Sequence, residues 1–260
     1  MLDQLRNWIT VENWWASFNI SFAMTPLKDC CFKAFHHEGD FKGEYQEIAG
    51  LDSYVIGESS DHMIVIITDV FGYKLNNIRL IADDLNELTS FQVIIPDILQ
   101  NDPVDPAGLF NREEWFGKHH PGITSPIVTE FLTKLRNEKN PKKVFGIGYC
   151  FGAKFVVEHL GNDGLFDVGA VAHPSLLTVE DIDTIANPIL ISTGDNDAAF
   201  EPELRTKNVE TLSKKDTRFQ VDIFQGATHG YAVKGDISNS LIKYAKEKTL
   251  LDQAHWFSQF

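Results

Sequence analysis

The chain holds only three cysteines in 260 residues, and two of them, Cys30 and Cys31, are neighbours. Adjacent cysteines bridge each other poorly, which excludes the disulfide framework of a small secreted scaffold. No Cys/His group has the spacing of a zinc site, and neither a metal nor an organic cofactor is expected. So few thiols point to a reducing, cytoplasmic compartment. Basic residues are scarce as well: 23 Lys and Arg stand against 37 Asp and Glu, a net charge of −14. That field repels phosphate backbones and anionic lipid, so nucleic-acid and membrane partners are not expected. Long apolar runs are missing, and nothing approaches the roughly 20 residues of a membrane span. The first residues lack the basic, unbroken apolar pattern of a secretory signal, because Asp3 and Glu12 interrupt it. They also lack the arginines of a mitochondrial presequence, Arg6 being the only base before Lys28.

What is present reads as one soluble α/β unit. Residues 1–24 are rich in aromatics (Trp8, Trp14, Trp15, Phe18, Phe22) and read as a peripheral extension, with Met24 an alternative start. Residues 25–260 read as a single domain. Short β-rich runs then alternate with helical patterns, the signature of a mostly parallel sheet with helices on both faces. Tyr45–Ile48 and Ser53–Gly57 suit an opening hairpin. Met63–Val70 (MIVIITDV) is a continuous β-branched run for a strand buried on both faces. A helix is predicted over Asn76–Leu88, and strands over Gln92–Pro96, Val144–Ile147, Val168–Ala172, Pro188–Ser192 and Phe219–Phe224. Ile123, Ile127, Phe131 and Leu135 predict an apolar helix stripe, and Ser238–Phe257 a C-terminal helix. Asp97–Pro121 breaks the rhythm and reads as an insertion or lid.

The sharpest signal is Gly148-Tyr149-Cys150-Phe151-Gly152, between the strand VFGI and the helical AKFVVEHL. It is a G-x-nucleophile-x-G elbow with cysteine at the centre. Such a turn lifts the nucleophile above the sheet edge in strained backbone geometry, and the glycines keep the crowded turn clear. The positive end of the following helix favours a thiolate, and the N–H of Phe151 points where an oxyanion would form. Two further groups lie at the carboxyl edge of the sheet, where open α/β sheets place ligands. Asp195 and Asp197 follow the strand ILIST, and His229 lies in FQGATHGY after the last strand. Nucleophile, acid, histidine is the chain order of the α/β-hydrolase fold. On these residues alone, Asp195 and Asp197 are both candidates for the acid.

These motifs resemble the dienelactone hydrolase family. ITDVFG (Ile67–Gly72), GYCFGAK (Gly148–Lys154), the acid loop and GATHGY (Gly226–Tyr231) carry the resemblance, which spans roughly Cys30 to the C-terminus. The paired CC, NREEWF (Asn111–Phe116), AHPS (Ala172–Ser175) and GDIS (Gly235–Ser238) are similar to the fungal branch. The resemblance implies Cys150 as nucleophile, Asp197 as acid and His229 as base, with backbone N–H groups of Phe151 and Val70 as the oxyanion hole. It also implies a carboxylate that helps generate the thiolate. Here that residue is Asp69, one methylene shorter than the family's glutamate. Where the family holds a substrate carboxylate with arginine this chain has Lys234, a point charge rather than a fork. Arg112 and Lys118 are further candidate cations, while Tyr149 and His173 are expected near the substrate, His173 at the site mouth.

The function expected from all of this is cleavage of a small-molecule ester or lactone through an acyl-enzyme on Cys150. Another ester or thioester specificity on the same machinery is the nearest alternative. A non-catalytic ligand-binding module and a redox sensor built on Cys150 are the others, although no second cysteine lies near it in sequence. Neither a monomer nor a dimer is favoured.

Overall fold

The computed structural model describes residues 27–32, 34–105 and 110–260; the 1–24 extension lies outside them. Eight strands form one sheet: β1 (Glu44–Ile48), β2 (Leu51–Ile56), β3 (His62–Ile67), β4 (Gln92–Pro96), β5 (Lys143–Tyr149), β6 (Val168–Ala172), β7 (Ile189–Asn196) and β8 (Phe219–Thr228). Their spatial order is β1-β2-β4-β3-β5-β6-β7-β8. β1 pairs with β2 and β2 with β4 antiparallel, and every later pairing is parallel. This is the α/β-hydrolase architecture.

The strand chemistry explains the layering. In β3, Met63, Val65 and Ile67 enter one apolar cluster while Ile64 and Ile66 enter the other, as period-2 alternation requires of a strand with two buried faces. The first face is covered by α3 (Pro121–Lys139) and α4 (Gly152–Glu158), which contribute Phe131, Leu132, Leu135 and Phe155. The second is covered by α1 (Asn76–Thr89) and α8 (Ser240–Phe257), through Ile78, Ile81, Leu85, Ala245, Trp256 and Phe257. Among the described residues the shorter helices are α2 (Arg112–His119), α5 (Val179–Asp183), α6 (Pro202–Leu212) and α7 (Tyr231–Lys234).

Three expectations shift in detail. The strand expected to reach Val70 ends at Ile67, and Thr68–Val70 leave the sheet to form a loop at its carboxyl edge. The α3 stripe is not Ile123-Ile127-Phe131-Leu135. Ile123 is exposed and Ile127 only part-buried, whereas Thr124, Val128, Phe131, Leu132 and Leu135 are buried. A spacing of four every time overshoots the helical period, so a face that stays on the core alternates steps of four and three. In the loose Asp97–Pro121 region, Asn111 caps α2 by accepting from the backbone N–H groups of Glu113 and Glu114. Trp115 from that helix donates to the Asp102 carbonyl at 2.8 Å and packs edge-on against Phe151, 5.8 Å between centroids.

The sheet order also creates the crevice. From β3 the chain crosses to β4 on one side, and from β5 it crosses to β6 on the other. Their carboxyl ends therefore flank a topological switch point, the place where such sheets bind ligands. Val70 follows β3 there and Cys150 follows β5.

Candidate active site

Cys150 sits at the turn between β5 and α4 with φ of 50°, the left-handed region that a side-chain-bearing residue enters only when its surroundings impose it. The surroundings are close. A Cβ added to Gly152 would lie 2.0 Å from the Ile67 carbonyl oxygen, and one on Gly148 would lie 2.6 Å from Cα of Ala153. The elbow is thus pressed against β3 on one side and its own helix on the other. The Cys150 N–H donates to the Ala172 carbonyl, and its carbonyl accepts from Ala153 and Ser175. Neither Val70 nor Phe151 uses its backbone N–H in a hydrogen bond among the described residues.

Above the elbow, one imidazole joins two loops. His229 Nε2 lies 3.0 Å from the Cys150 sulfur, and Nδ1 lies 2.9 and 3.1 Å from the two carboxylate oxygens of Asp197. Asp197 accepts, so Nδ1 carries the proton on that side. The acid is itself anchored: its Oδ1 also accepts from the N–H groups of Ala199 and Phe200. Asp195 instead accepts from the Gly226 N–H, tying the β7 and β8 loops together away from the imidazole. All three of Cys150, Asp197 and His229 are buried.

The electrostatics follow from that burial. Burial pushes the Cys150 thiol up, but the Cys31 hydrogen bond, the charge and hydrogen bond of His229 and the charge of Lys234 together bring it well below the ordinary thiol range. Burial alone would lower His229, yet the neighbouring Cys150 charge and the Asp197 hydrogen bond hold it raised to about 10. Each of the two groups thus favours the charged form of the other.

Asp69 is buried and raised to about 6, first by burial, with Lys234 opposing and the Cys150 charge adding to the rise. Its Oδ1 accepts from the Phe71 N–H at 3.0 Å and its Oδ2 has no partner; no hydrogen bond links it to Cys150. Lys234 is buried, its ammonium bonded to the Cys31 carbonyl and 4.4 Å over the Phe71 ring. It lines a cavity of about 790 Å³ together with His229, Lys28, Leu27, Phe35 and Ile242.

Other expected residues stand further off. Lys118 is exposed and paired with Glu114 at 3.0 Å. Arg112 stacks over Phe32, 4.7 Å from the ring centroid. The Tyr149 hydroxyl donates to Gln253 at 2.8 Å within the α8-side cluster, with its ring packed on His173. His173 is not at the site mouth: it is fully buried beneath His229, ring centroids 5.2 Å apart. The reason is local. β6 ends at Ala172, and His173 turns with φ of 39° back under the sheet edge while its N–H pairs with the Ser192 carbonyl. Burial and the His229 charge keep it neutral.

Two contacts were not foreseen. Ser175 of the AHPS motif places its hydroxyl 3.4 Å from the Cys150 sulfur. Cys31 places its sulfur 3.3 Å from His229 Nε2. The paired cysteines were visible in the sequence, but nothing in the spacing joins Cys31 to a histidine 198 residues away.

A mostly parallel sheet with an elbow nucleophile position and an Asp–His pair at its carboxyl edge defines an α/β-hydrolase. The model of the dienelactone hydrolase family matches residues 51–260, and the chain belongs to that family, whose members hydrolyse esters and lactones. Among curated relatives, "Hydrolase pyvD" of Aspergillus violaceofuscus is 35% identical over 240 residues, 90% of this chain and 97% of the relative. "Hydrolase tropI" of Talaromyces stipitatus is 31% identical over 251 residues, covering 92% and 98%. Among solved structures, a dienelactone hydrolase-like protein from Klebsiella pneumoniae superposes with a TM-score of 0.69 at 13% identity, over 85% of this chain and all of that one. Among the described residues no helix is long and apolar enough to cross a membrane.

Proposed function

We propose that the chain cleaves small esters or lactones with Cys150 as nucleophile, His229 as acid and base, and Asp197 as the group that orients the histidine. The observation that carries this is the single imidazole bridging the Cys150 sulfur and the Asp197 carboxylate, on a sulfur held in left-handed geometry at the switch point.

The Cys150 thiolate attacks the substrate carbonyl carbon, and the resulting oxyanion accepts from the N–H groups of Phe151 and Val70. Collapse breaks the acyl carbon–oxygen bond. The His229 imidazolium passes its Nε2 proton to the departing oxygen, which in a lactone stays tethered to the acyl group. His229, now neutral, takes a proton from water; the hydroxide attacks the thioester, and the Cys150 thiolate leaves. Asp197 keeps Nδ1 protonated throughout and balances the imidazolium. Asp69, buried with one unpartnered oxygen and in electrostatic reach of Cys150, is the carboxylate that helps generate the thiolate when substrate binds.

Lys234 is the lysine whose charge acts on Cys150, and a substrate carboxylate would have to compete with the Cys31 carbonyl for it. A dienelactone bearing its carboxylate and a neutral ester of similar size therefore test the substrate class together. Turnover is expected in the wild type and is lost in Cys150→Ala. An alanine variant that retains the wild-type rate removes Cys150 from the reaction. Absence of turnover on any ester in the wild type would favour a ligand-binding role.

A further inference from the structure

The hydrolytic cycle above uses one thiol, yet two face the same imidazole nitrogen. Cys31 arrives on the short turn Asp29–Phe32, which lies over the nucleophile. It is held there by the Lys234 ammonium on the Cys31 carbonyl, and by the Phe35 N–H donating to the Lys234 carbonyl at 3.0 Å. The sulfurs of Cys31 and Cys150 and the His229 imidazole nitrogen all lie within 4.8 Å of one another, and all three residues are buried.

We infer that Cys31, Cys150 and His229 form a binding site for a thiophilic divalent metal ion of the Zn²⁺ class, which occupies the nucleophile and blocks hydrolysis reversibly. The donors are the two thiolates and one imidazole that such an ion prefers. The geometry is close to what it needs. Tetrahedral zinc, with Zn–S of about 2.3 Å and Zn–N of about 2.0 Å, separates S from N by roughly 3.5 Å and S from S by roughly 3.8 Å. The two S···N distances here are 3.0 and 3.3 Å, so the ion seats with shifts of about half an ångström. Moreover, the far nitrogen of His229 is already bonded to Asp197, the carboxylate–histidine arrangement that orients a metal-bound imidazole.

The ion replaces the proton that Nε2 otherwise holds between the sulfurs. Binding forms two metal–sulfur bonds and one metal–nitrogen bond and releases the Nε2 proton and the Cys31 thiol proton. Three protein ligands leave a fourth position for water or another small ligand. A site of that type exchanges its metal, unlike a closed four-ligand structural site.

The test titrates the reduced, full-length protein with Co²⁺ and with Zn²⁺. One Co²⁺ per chain is expected to bind with a thiolate charge-transfer absorption, and one Zn²⁺ is expected to displace it. In Cys31→Ala the Zn²⁺ dissociation constant should rise by at least 100-fold, since even loss of a supporting group behind a ligand costs 10–100-fold. The Zn²⁺ concentration for half-inhibition, scaled to each protein's own metal-free rate, should rise in parallel. Should the alanine variant fail to fold, Cys31→Ser carries the same titration. Wild-type protein without a stoichiometric thiolate band, or a Cys31 variant that binds Zn²⁺ as tightly as wild type, overturns the site. The binding is read without substrate, so it stands or falls separately from the hydrolytic assignment.

Discussion

Gly152→Ala should cost both the fold and the reaction, and the structure sets the size of each. A Cβ at this position would lie 2.0 Å from the Ile67 carbonyl oxygen, 2.5 Å from its carbon and 2.7 Å from the Thr68 oxygen. All three are backbone atoms at the end of β3, so no side chain can rotate away. Ordinary carbon–oxygen contact begins at about 3.3 Å, and β3 and α4 must therefore part by about 1.3 Å. Overpacking of this kind costs about 1–3 kcal/mol, occasionally more, which in a domain of this size lowers Tm by about 2–12 °C. The displaced segment leads directly to Asp69 and Val70. A misplacement of about 1 Å among reacting groups costs roughly 100-fold in kcat/KM. The control is Gly117→Ala in α2, where an added Cβ meets nothing within 4 Å. Replacing an unobstructed helical glycine should stabilise by about 0.5–1 kcal/mol. Thermal melts and ester hydrolysis on both variants decide the matter. A Gly152→Ala protein that melts and turns over like wild type would refute the close packing of the elbow against β3.

Asp197→Asn should leave the fold intact but lower the melting temperature, because buried His229 loses its carboxylate partner, and should lower kcat by about 10⁴-fold, because the amide no longer fixes the tautomer of His229; a loss under tenfold in steady-state assays would count against that role. Lys246 gives a pH prediction. Burial lowers it to about 8, with Asp84 and Glu247 opposing, and its ammonium donates to the Ala232 carbonyl at 3.0 Å. Because the folded state sheds this proton first, its penalty is full below pH 8 and relieved as pH rises towards the ordinary lysine value of about 10.4. Lys246→Met should be more stable than wild type at pH 7 by on the order of 2 kcal/mol, after about 1 kcal/mol is deducted for the lost hydrogen bond. Urea midpoints at pH 7 and pH 10 should show that gap closing, and a constant gap would contradict the lowered lysine.

Much of the frame was legible because single stretches of chain encode it. The run at Met63 has no polar face, so it had to lie between two helix layers, and the β5 elbow announces itself in five consecutive residues. The acid was harder. Asp195 and Asp197 are chemically equivalent on the page, and what separates them is which one the β7 loop turns inward: Asp197 meets Nδ1 while Asp195 pins Gly226. His173 and Lys234 illustrate the same limit. Both are polar residues that a sequence reading sends towards solvent or substrate. One is folded beneath the sheet edge, and the other is buried against a carbonyl and an aromatic ring that come from distant segments. Cys31 was the least accessible of all, since its place depends on a contact that no local period or motif encodes.

The clasp between Cys31 and Lys234 spans 203 residues. On a ribosome, Cys31 must wait until Lys234, made 203 residues later, has emerged before the two can meet. Until then the Cys150 sulfur has neither its imidazole nor its cover. A nascent chain therefore carries an ordinary thiol at Cys150, and the sulfur gains its imidazole and its cover only when synthesis has passed His229 and Lys234. Long-range closure of this kind is slow to form. Here the delay coincides with the interval in which an armed sulfur would be most exposed.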